Sequence, residues 1–264
     1  MTAIPPDHKT SESTPEEHQE MSLVEHLLEL RNRLLKIVLA VVICFAVVYP
    51  FANELYLWMS QPLRDLLPEG QMMIATDVTS PFFAPLKLAL VVAVFAAIPY
   101  ILYQIWSFIA PGLYKHEKKL AFPLLATSVV LFYLGAAFAY YVVFPLVFGF
   151  FTAIGPEGIV ELPDINSYLN FVLKMFFAFG VAFEIPIATI LLILSGATTA
   201  SDLAAKRPYV VVGCFVIGMV LTPPDIISQT LLAVPMWILF ELGILFGRFV
   251  QRRAPAEDAE MAGE

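Results

Sequence analysis

Charge is scarce in this 264-residue chain: 14% of its residues are Asp, Glu, Lys or Arg, while 59% are apolar. Soluble domains carry roughly 25% charged and about 45–50% apolar residues, so a soluble enzyme of one or two domains is a poor reading. Cysteine is almost absent. Cys44 and Cys214 both lie inside apolar runs, where they read as small hydrophobes and supply neither a disulfide framework nor a metal pair. The four histidines, His8, His18, His26 and His116, all fall outside the apolar runs. There is no His-Glu-x-x-His and no Gly-x-Ser-x-Gly, which leaves a metalloprotease or serine hydrolase without support. A Gly-x-x-x-x-Gly-Lys-Ser/Thr loop is missing too, so nucleotide hydrolysis by a P-loop is not indicated. Net charge is −8 with no basic face, which argues against nucleic acid as a partner. No cofactor is expected.

What the chain does have is six apolar runs, at about 34–52, 86–110, 120–151, 169–194, 209–221 and 226–246. About 20 apolar residues cover ~30 Å of hydrocarbon as a helix, and the first four runs qualify. The fifth reaches only about 20 Å at 1.5 Å per residue, and Gln229 and Glu241 interrupt the sixth. The expectation is an all-α integral membrane protein of six transmembrane helices, with spans 5 and 6 a short hairpin through thinned bilayer. A re-entrant pair is the alternative. Pro50, Pro99, Pro123, Pro145, Pro186 and Pro235 fall in the runs and favour a bent, concave assembly over straight walls.

Most basic residues lie on one alternating side: Lys9, Arg31, Arg33 and Lys36; Lys115, Lys118 and Lys119; Lys206 and Arg207; Arg248, Arg252 and Arg253. By the positive-inside rule that side is cytoplasmic and holds both termini. Residues 1–21 and 254–264 are polar and read as disordered cytoplasmic tails around one membrane domain, 22–253. No apolar core follows the start of the chain closely, so the first run reads as a permanent anchor and not as a cleaved signal peptide. In the outer loop, 53–85, Leu55, Met59, Leu63 and Leu66 recur at helical spacing beside Tyr56 and Trp58. This predicts a short interfacial helix capping the bundle; a plain loop is the simpler option.

Four places could carry chemistry. Ser22 and Glu25 form a capping box, and Leu23, Leu27, Leu30 and Leu34 share one face of the helix that follows. The polar side shows Glu25, Glu29 and Arg33, and by spacing alone Glu29 pairs with Arg33, worth ~0.3–0.5 kcal/mol. Glu117 is the only carboxylate in the loop after the second run, among basic neighbours. It reads as a solvated loop ion pair, or, together with Glu29, as one of two carboxylates for a ligand with two guanidiniums. Glu184 sits near the middle of the fourth run, where an ionised group costs ~2.5–3.5 kcal/mol, so it is protonated, paired or facing water. Both a functional and a structural role fit it. In Thr222-Pro223-Pro224-Asp225 the spacing suits a helix start, with a binding role for Asp225 as the minority reading.

Several segments, taken in order, closely resemble the TatC family. They are His26-Leu-Leu-Glu-Leu-Arg-Asn-Arg-Leu34, Met73-Ile-Ala-Thr-Asp-Val-Thr-Ser-Pro-Phe-Phe83, Phe108-Ile-Ala-Pro-Gly-Leu-Tyr-Lys-His-Glu117, Phe183-Glu-Ile-Pro186 and Leu221-Thr-Pro-Pro-Asp225. That family is the multispanning receptor subunit of the bacterial and chloroplast twin-arginine protein translocase. The resemblance implies a multi-pass protein of the bacterial inner membrane that exports folded proteins on the proton-motive force. It implies a signal peptide read at the cytoplasmic face by two glutamates, which match Glu29 and Glu117. The family's buried glutamate matches Glu184 and its outer-turn aspartate Asp225; Arg31, Pro62 and Phe108 also fall on motif positions. Lys118 and Lys119 stand where relatives often have arginines, which keeps the charge. Implied partners are twin-arginine signal peptides, TatA- and TatB-type single-span proteins, membrane lipid and further copies of the chain in a receptor complex. The competing reading is a proton-coupled secondary transporter with Glu184 as carrier, which predicts a repeat between the halves of the chain. No such repeat is visible.

Overall fold

A computed structural model describes residues 15–65, 73–109, 118–154, 163–221 and 226–261. Among them the architecture is all helical, and five helical stretches are long and apolar enough to cross a membrane: Leu27–Arg64, Ser80–Phe108, Phe122–Phe150, Ile165–Leu194 and Gln229–Phe249. The fifth apolar run forms a shorter helix, Arg207–Leu221.

Proline chemistry punctuates these stretches. Helix α1 (Pro15–Val48) gives way at Tyr49–Phe51 to a 3₁₀ turn around Pro50, and the chain continues as α2 (Ala52–Met59) and α3 (Gln61–Arg64). Pro62 sits in the first turn of α3, where its missing N–H costs nothing. The single interfacial helix expected from the leucine spacing is thus two short ones, divided at Ser60; Leu66 lies outside the described residues. α4 (Ser80–Ile109) and α5 (Lys118–Phe138) run unbroken through Pro99 and Pro123. Between α5 and α6 (Phe144–Ile154) a π turn at Ala139–Val143 widens the helix just before Pro145, which cannot donate to the carbonyl of Tyr141. α7 (Ile165–Ala182) stops where Pro186 would have needed the carbonyl of Ala182, and α8 (Ile185–Leu194) restarts with that proline in its first turn. Gly196 ends α8 in the left-handed region, at φ 71°. α9 (Ala200–Ala205), α10 (Arg207–Leu221) and α11 (Ile226–Met261) complete the chain.

Two boundaries differ from the sequence expectation. α1 begins at Pro15, so Ser22 lies inside the helix and its capping box does not start it. Thr14-Pro15-Glu16-Glu17 is itself a helix-start pattern, with proline at the first position and acids in the first turn. α11 runs past Arg253 to Met261, through Pro255 and a short Ala- and Glu-rich stretch. Helix therefore extends into both segments that composition marked as tails.

The core is aromatic and lies where α4, α5, α6 and α7 meet. Phe144, Phe179, Leu88, Leu169 and Met175 are fully buried. The ring of Phe95 on α4 meets Phe132 of α5 and Phe176 and Phe177 of α7 at 5.2–5.9 Å, edge to face. α2 and α3 close one end of this core: Met59 and Leu63 are buried, the hydroxyl of Tyr168 donates to the carbonyl of Met59 at 2.8 Å, and Trp58 stacks on Tyr140 at 5.1 Å. α1 packs along α4, and α8 and α10 against α11. Most of the apolar surface of α1 stays uncovered by protein, Leu35, Leu39, Ile43 and Val47 among it, which suits a helix whose surroundings are lipid.

Candidate functional site

Two turns of α1 and the last two turns of α4 enclose a cleft of about 720 Å³. Its polar residues are Glu29, Asn32, Arg33, Lys36, Gln104 and Ser107, and Tyr100 and Tyr103 supply an aromatic wall. Glu29 and Arg33 are one turn apart on α1 and pair as their spacing predicts. Both Arg33 bonds go to one carboxylate oxygen: Nε to Oε1 at 2.9 Å and Nη2 to Oε1 at 2.5 Å. Arg33 also crosses to α4, where Nη1 donates to the side chain of Gln104 at 3.2 Å and Nη2 to the carbonyl of Ser107 at 3.2 Å. Ser107 is in the last turn of α4, whose carbonyls lack helical partners and carry the negative end of the helix dipole. A guanidinium is the group that can serve a carboxylate and two carbonyl oxygens at once.

The arrangement leaves a carboxylate half used. Among the described residues no hydrogen bond reaches Oε2 of Glu29, and the side chain is 44% exposed against 18% for Arg33. Oε2 is therefore open to a further donor, on a carboxylate that Arg33 holds through Oε1. Arg31 is not among the residues that line the cleft, but donates at 3.2 Å to Asn32, which is. Phe108 follows Ser107 directly at the end of α4, half-buried. Glu117 lies outside the described residues. Arg33 was read in the sequence only as the partner of Glu29; its reach to Gln104 and Ser107 had no local signal.

Glu184 stands apart from this cleft, at the break between α7 and α8. Its backbone N–H turns to Val181 O at 3.0 Å, and its Oε2 accepts a short hydrogen bond from Ser128 of α5. Oε1 is buried without a partner among the described residues. The helix break thus places a polar group between two helices that approach closely: a β-carbon on Gly180 would meet the ring of Phe132 at 2.7 Å.

Sequence reading missed the function of two further polar groups. Asp164 caps α7 by accepting from the N–H and hydroxyl of Ser167, both at 2.9 Å, and fastens the segment before α4 by accepting from the N–H and hydroxyl of Thr76 at 3.1 and 2.8 Å. These donors, the Thr76 N–H foremost, hold its carboxyl well below the usual carboxylate range. Backbone bonds between Ile74 and the pair Pro163 and Ile165 extend the join. The Asp-x-x-Ser spacing was a legible cap signal; Thr76, 88 residues away, was not. The second group explains the polar interruptions of the sixth run. Gln229 donates to the carbonyl of Phe215 at 2.7 Å, and Glu241 accepts from Arg207 on both oxygens at 2.6 and 2.7 Å, so each ties α11 to α10. Asp225 lies outside the described residues, and Pro62 serves α3 as described above.

Comparison with known proteins gives these helices their context. Residues 25–235 match the family described as Sec-independent protein translocase protein (TatC). The Sec-independent protein translocase protein TatC of Azotobacter chroococcum is 59% identical over 239 residues, covering 90% of this chain and 94% of that protein. The protein of the same name from Escherichia coli K12 is 56% identical, with 86% and 88% covered. A crystal structure of the twin arginine translocase receptor TatC superposes with a TM-score of 0.77 at 39% identity, covering 86% of this chain and 99% of that one. A second, determined in DDM, gives 0.78 at 40% identity, with 84% and 99% covered. The long apolar helices, the order of the sequence motifs and these matches agree: the chain belongs to the TatC family, membrane subunits of the Sec-independent protein translocase that serve protein transport and are not enzymes.

Proposed function

We propose that this chain is the signal-peptide receptor of a twin-arginine translocase, and that Glu29 and Glu117 read the two arginines. The observation that carries the reading is the half-used carboxylate of Glu29 in a cleft wide enough for a peptide side chain. A guanidinium donating to Oε2 gains a charge-assisted bond without displacing Arg33, which keeps Oε1 and its two acceptors on α4. Tyr100 and Tyr103 offer faces on which a planar cation stacks. Lysine has no planar fork and loses the geometric match. Arg31 and Phe108 flank this site, and Glu117 supplies the second carboxylate from the loop after α4.

The same reading gives the chain six spans, the short α10 among them, with both termini in the cytoplasm of a bacterium and the cleft on that side. Folded proteins cross the inner membrane on the proton-motive force, with single-span TatA- and TatB-type partners and further copies of this chain. Asp225, in the segment between α10 and α11, and Pro62 belong to the outer side on this reading. Glu184 is the polar site within the bundle.

Binding of a fluorescent twin-arginine signal peptide to the purified chain, beside a twin-lysine peptide, tests the reading. Loss of one charge-assisted pair costs about 1.5–3 kcal/mol, or about 10- to 150-fold in affinity. Losses of that size are expected for Glu29→Ala, for Glu117→Ala and for the lysine peptide. Equal affinity in all cases would refute it.

A further inference from the structure

The ion pair that fastens α10 to α11 forms one side of a second cavity, of about 350 Å³, that the receptor reading does not use. Arg207 and Arg248 line it, together with Glu241 and a wall of Trp237, Leu242 and Leu245. On α11 the spacing Glu241, Leu245, Arg248 keeps these groups on one stripe, the two charged residues about 10 Å apart along the axis at 1.5 Å per residue.

Charge in this cavity is unbalanced. Glu241 has both oxygens taken by Nε and Nη2 of Arg207, so those two charges answer each other. Arg248 is exposed and, like Lys206 beside Arg207, forms no ion pair among the described residues. The Nη1 of Arg207 is likewise not engaged by Glu241. Arg248 also lies within the field of Glu241, but two arginines against one carboxylate leave the cavity net positive, and an anion placed here meets Arg248 and the outer edge of Arg207. The wall beside them is different: Trp237, Leu242 and Leu245 are 40, 39 and 47% exposed, an apolar strip on the membrane-crossing part of α11 that starts next to Arg248 at Leu245 and passes the Arg207 to Glu241 pair to reach Trp237.

An anionic head beside guanidiniums, with an apolar strip running from it along a membrane helix, is the chemistry of an acidic phospholipid, and basic pockets between transmembrane helices bind such headgroups. We infer that the cavity between α10 and α11 is a binding site for an anionic phospholipid, its phosphate on Arg248 and Arg207 and its acyl chain along Trp237, Leu242 and Leu245. A bound lipid would bridge the two helices beside their salt bridge and steady the short α10.

Native mass spectrometry of the full chain in detergent, titrated with phosphatidylglycerol or phosphatidylcholine, tests the site. Wild type should retain phosphatidylglycerol in preference to phosphatidylcholine. Arg248→Gln should lower that retention about fivefold, as expected for one basic residue at a lipid headgroup, and Arg248→Lys should restore most of it. Arg64→Gln, at the far end of the chain's first apolar stretch, serves as a charge-loss control and should change nothing. Circular dichroism reports that each variant stays helical. Equal retention of the two lipids, an Arg248→Gln protein that holds as much phosphatidylglycerol as wild type, or an equal loss in Arg64→Gln would each overturn the assignment.

Discussion

Replacing Gly135 with alanine puts a methyl group where α5 and α7 touch. The new β-carbon would overlap the carbonyl oxygen of Phe179, lie 2.9 Å from its carbon and 3.0 Å from Cδ2 of Phe183. The ring of Phe183 can turn aside, but a helix carbonyl cannot, so the helices must separate. Overpacking of this kind costs about 1–3 kcal/mol, with the upper part of that range expected for a backbone clash. Alanine returns ~0.8–1 kcal/mol in helix propensity, leaving a net loss of about 1–2 kcal/mol. Gly213 on α10 is the matched control, because a β-carbon there meets nothing within 4 Å and only the propensity gain remains. Thermal unfolding in detergent, followed by circular dichroism, should therefore rank Gly213→Ala at or above wild type. Gly135→Ala should fall several degrees below it, at ~2–4 °C per kcal/mol for a chain of this size. A Gly135→Ala protein that unfolds no earlier than Gly213→Ala would refute the close α5 to α7 contact and, with it, the placement of Ser128 against Glu184.

Two further predictions come from the polar joints and one from the short α10. Ser128→Ala removes the hydrogen-bond partner of the Glu184 carboxyl, whose other oxygen has none among the described residues, and should lower stability by about 1–3 kcal/mol in the same unfolding assay; an unchanged midpoint would contradict the pair. Asp164 has its folded pKa depressed, so its stabilising contribution is complete above its unfolded value of about 4 and is lost as pH falls through the lower folded value. Asp164→Ala should remove that acid-limb dependence, cost about 0.5–2 kcal/mol as a lost helix cap, and speed amide exchange at Ile74 and Thr76. Lengthening α10, whose 15 residues span about 22 Å, by several leucines should abolish export in cells while leaving signal-peptide binding intact, and undiminished export would count against a role for the short span.

The all-helical, membrane-spanning character was legible because long apolar runs admit few alternatives, and some proline positions marked where helices are disturbed. Pro50, Pro145 and Pro186 each coincide with a 3₁₀ turn, a π turn or a break, whereas Pro99 and Pro123 sit in helices that continue through them. Composition alone cannot separate these cases, since they depend on whether neighbouring helices hold the chain straight. Gln229 and Glu241 looked like defects in the sixth span and are the fastenings of a hairpin. Their partners, Phe215 and Arg207, become visible only once α10 lies beside α11. At the cleft the Glu29 to Arg33 pair could be read from i, i+4 spacing, and the family resemblance supplied its significance. The contacts of Arg33 with Gln104 and Ser107, 71 and 74 residues on, turn a local ion pair into the join between two helices, and no local pattern encodes them.

The central claim is that an arginine side chain docks in the cleft between α1 and α4. Photo-crosslinking tests it most directly: a twin-arginine signal peptide carrying a photoreactive residue next to its arginine pair is bound to the purified protein, irradiated, and the adducts mapped by mass spectrometry. The account predicts adducts on Leu28, Asn32 and Tyr103, which line the cleft, and their loss in Glu29→Ala. Adducts that avoid the cleft, or that persist at full yield without the carboxylate, would contradict it.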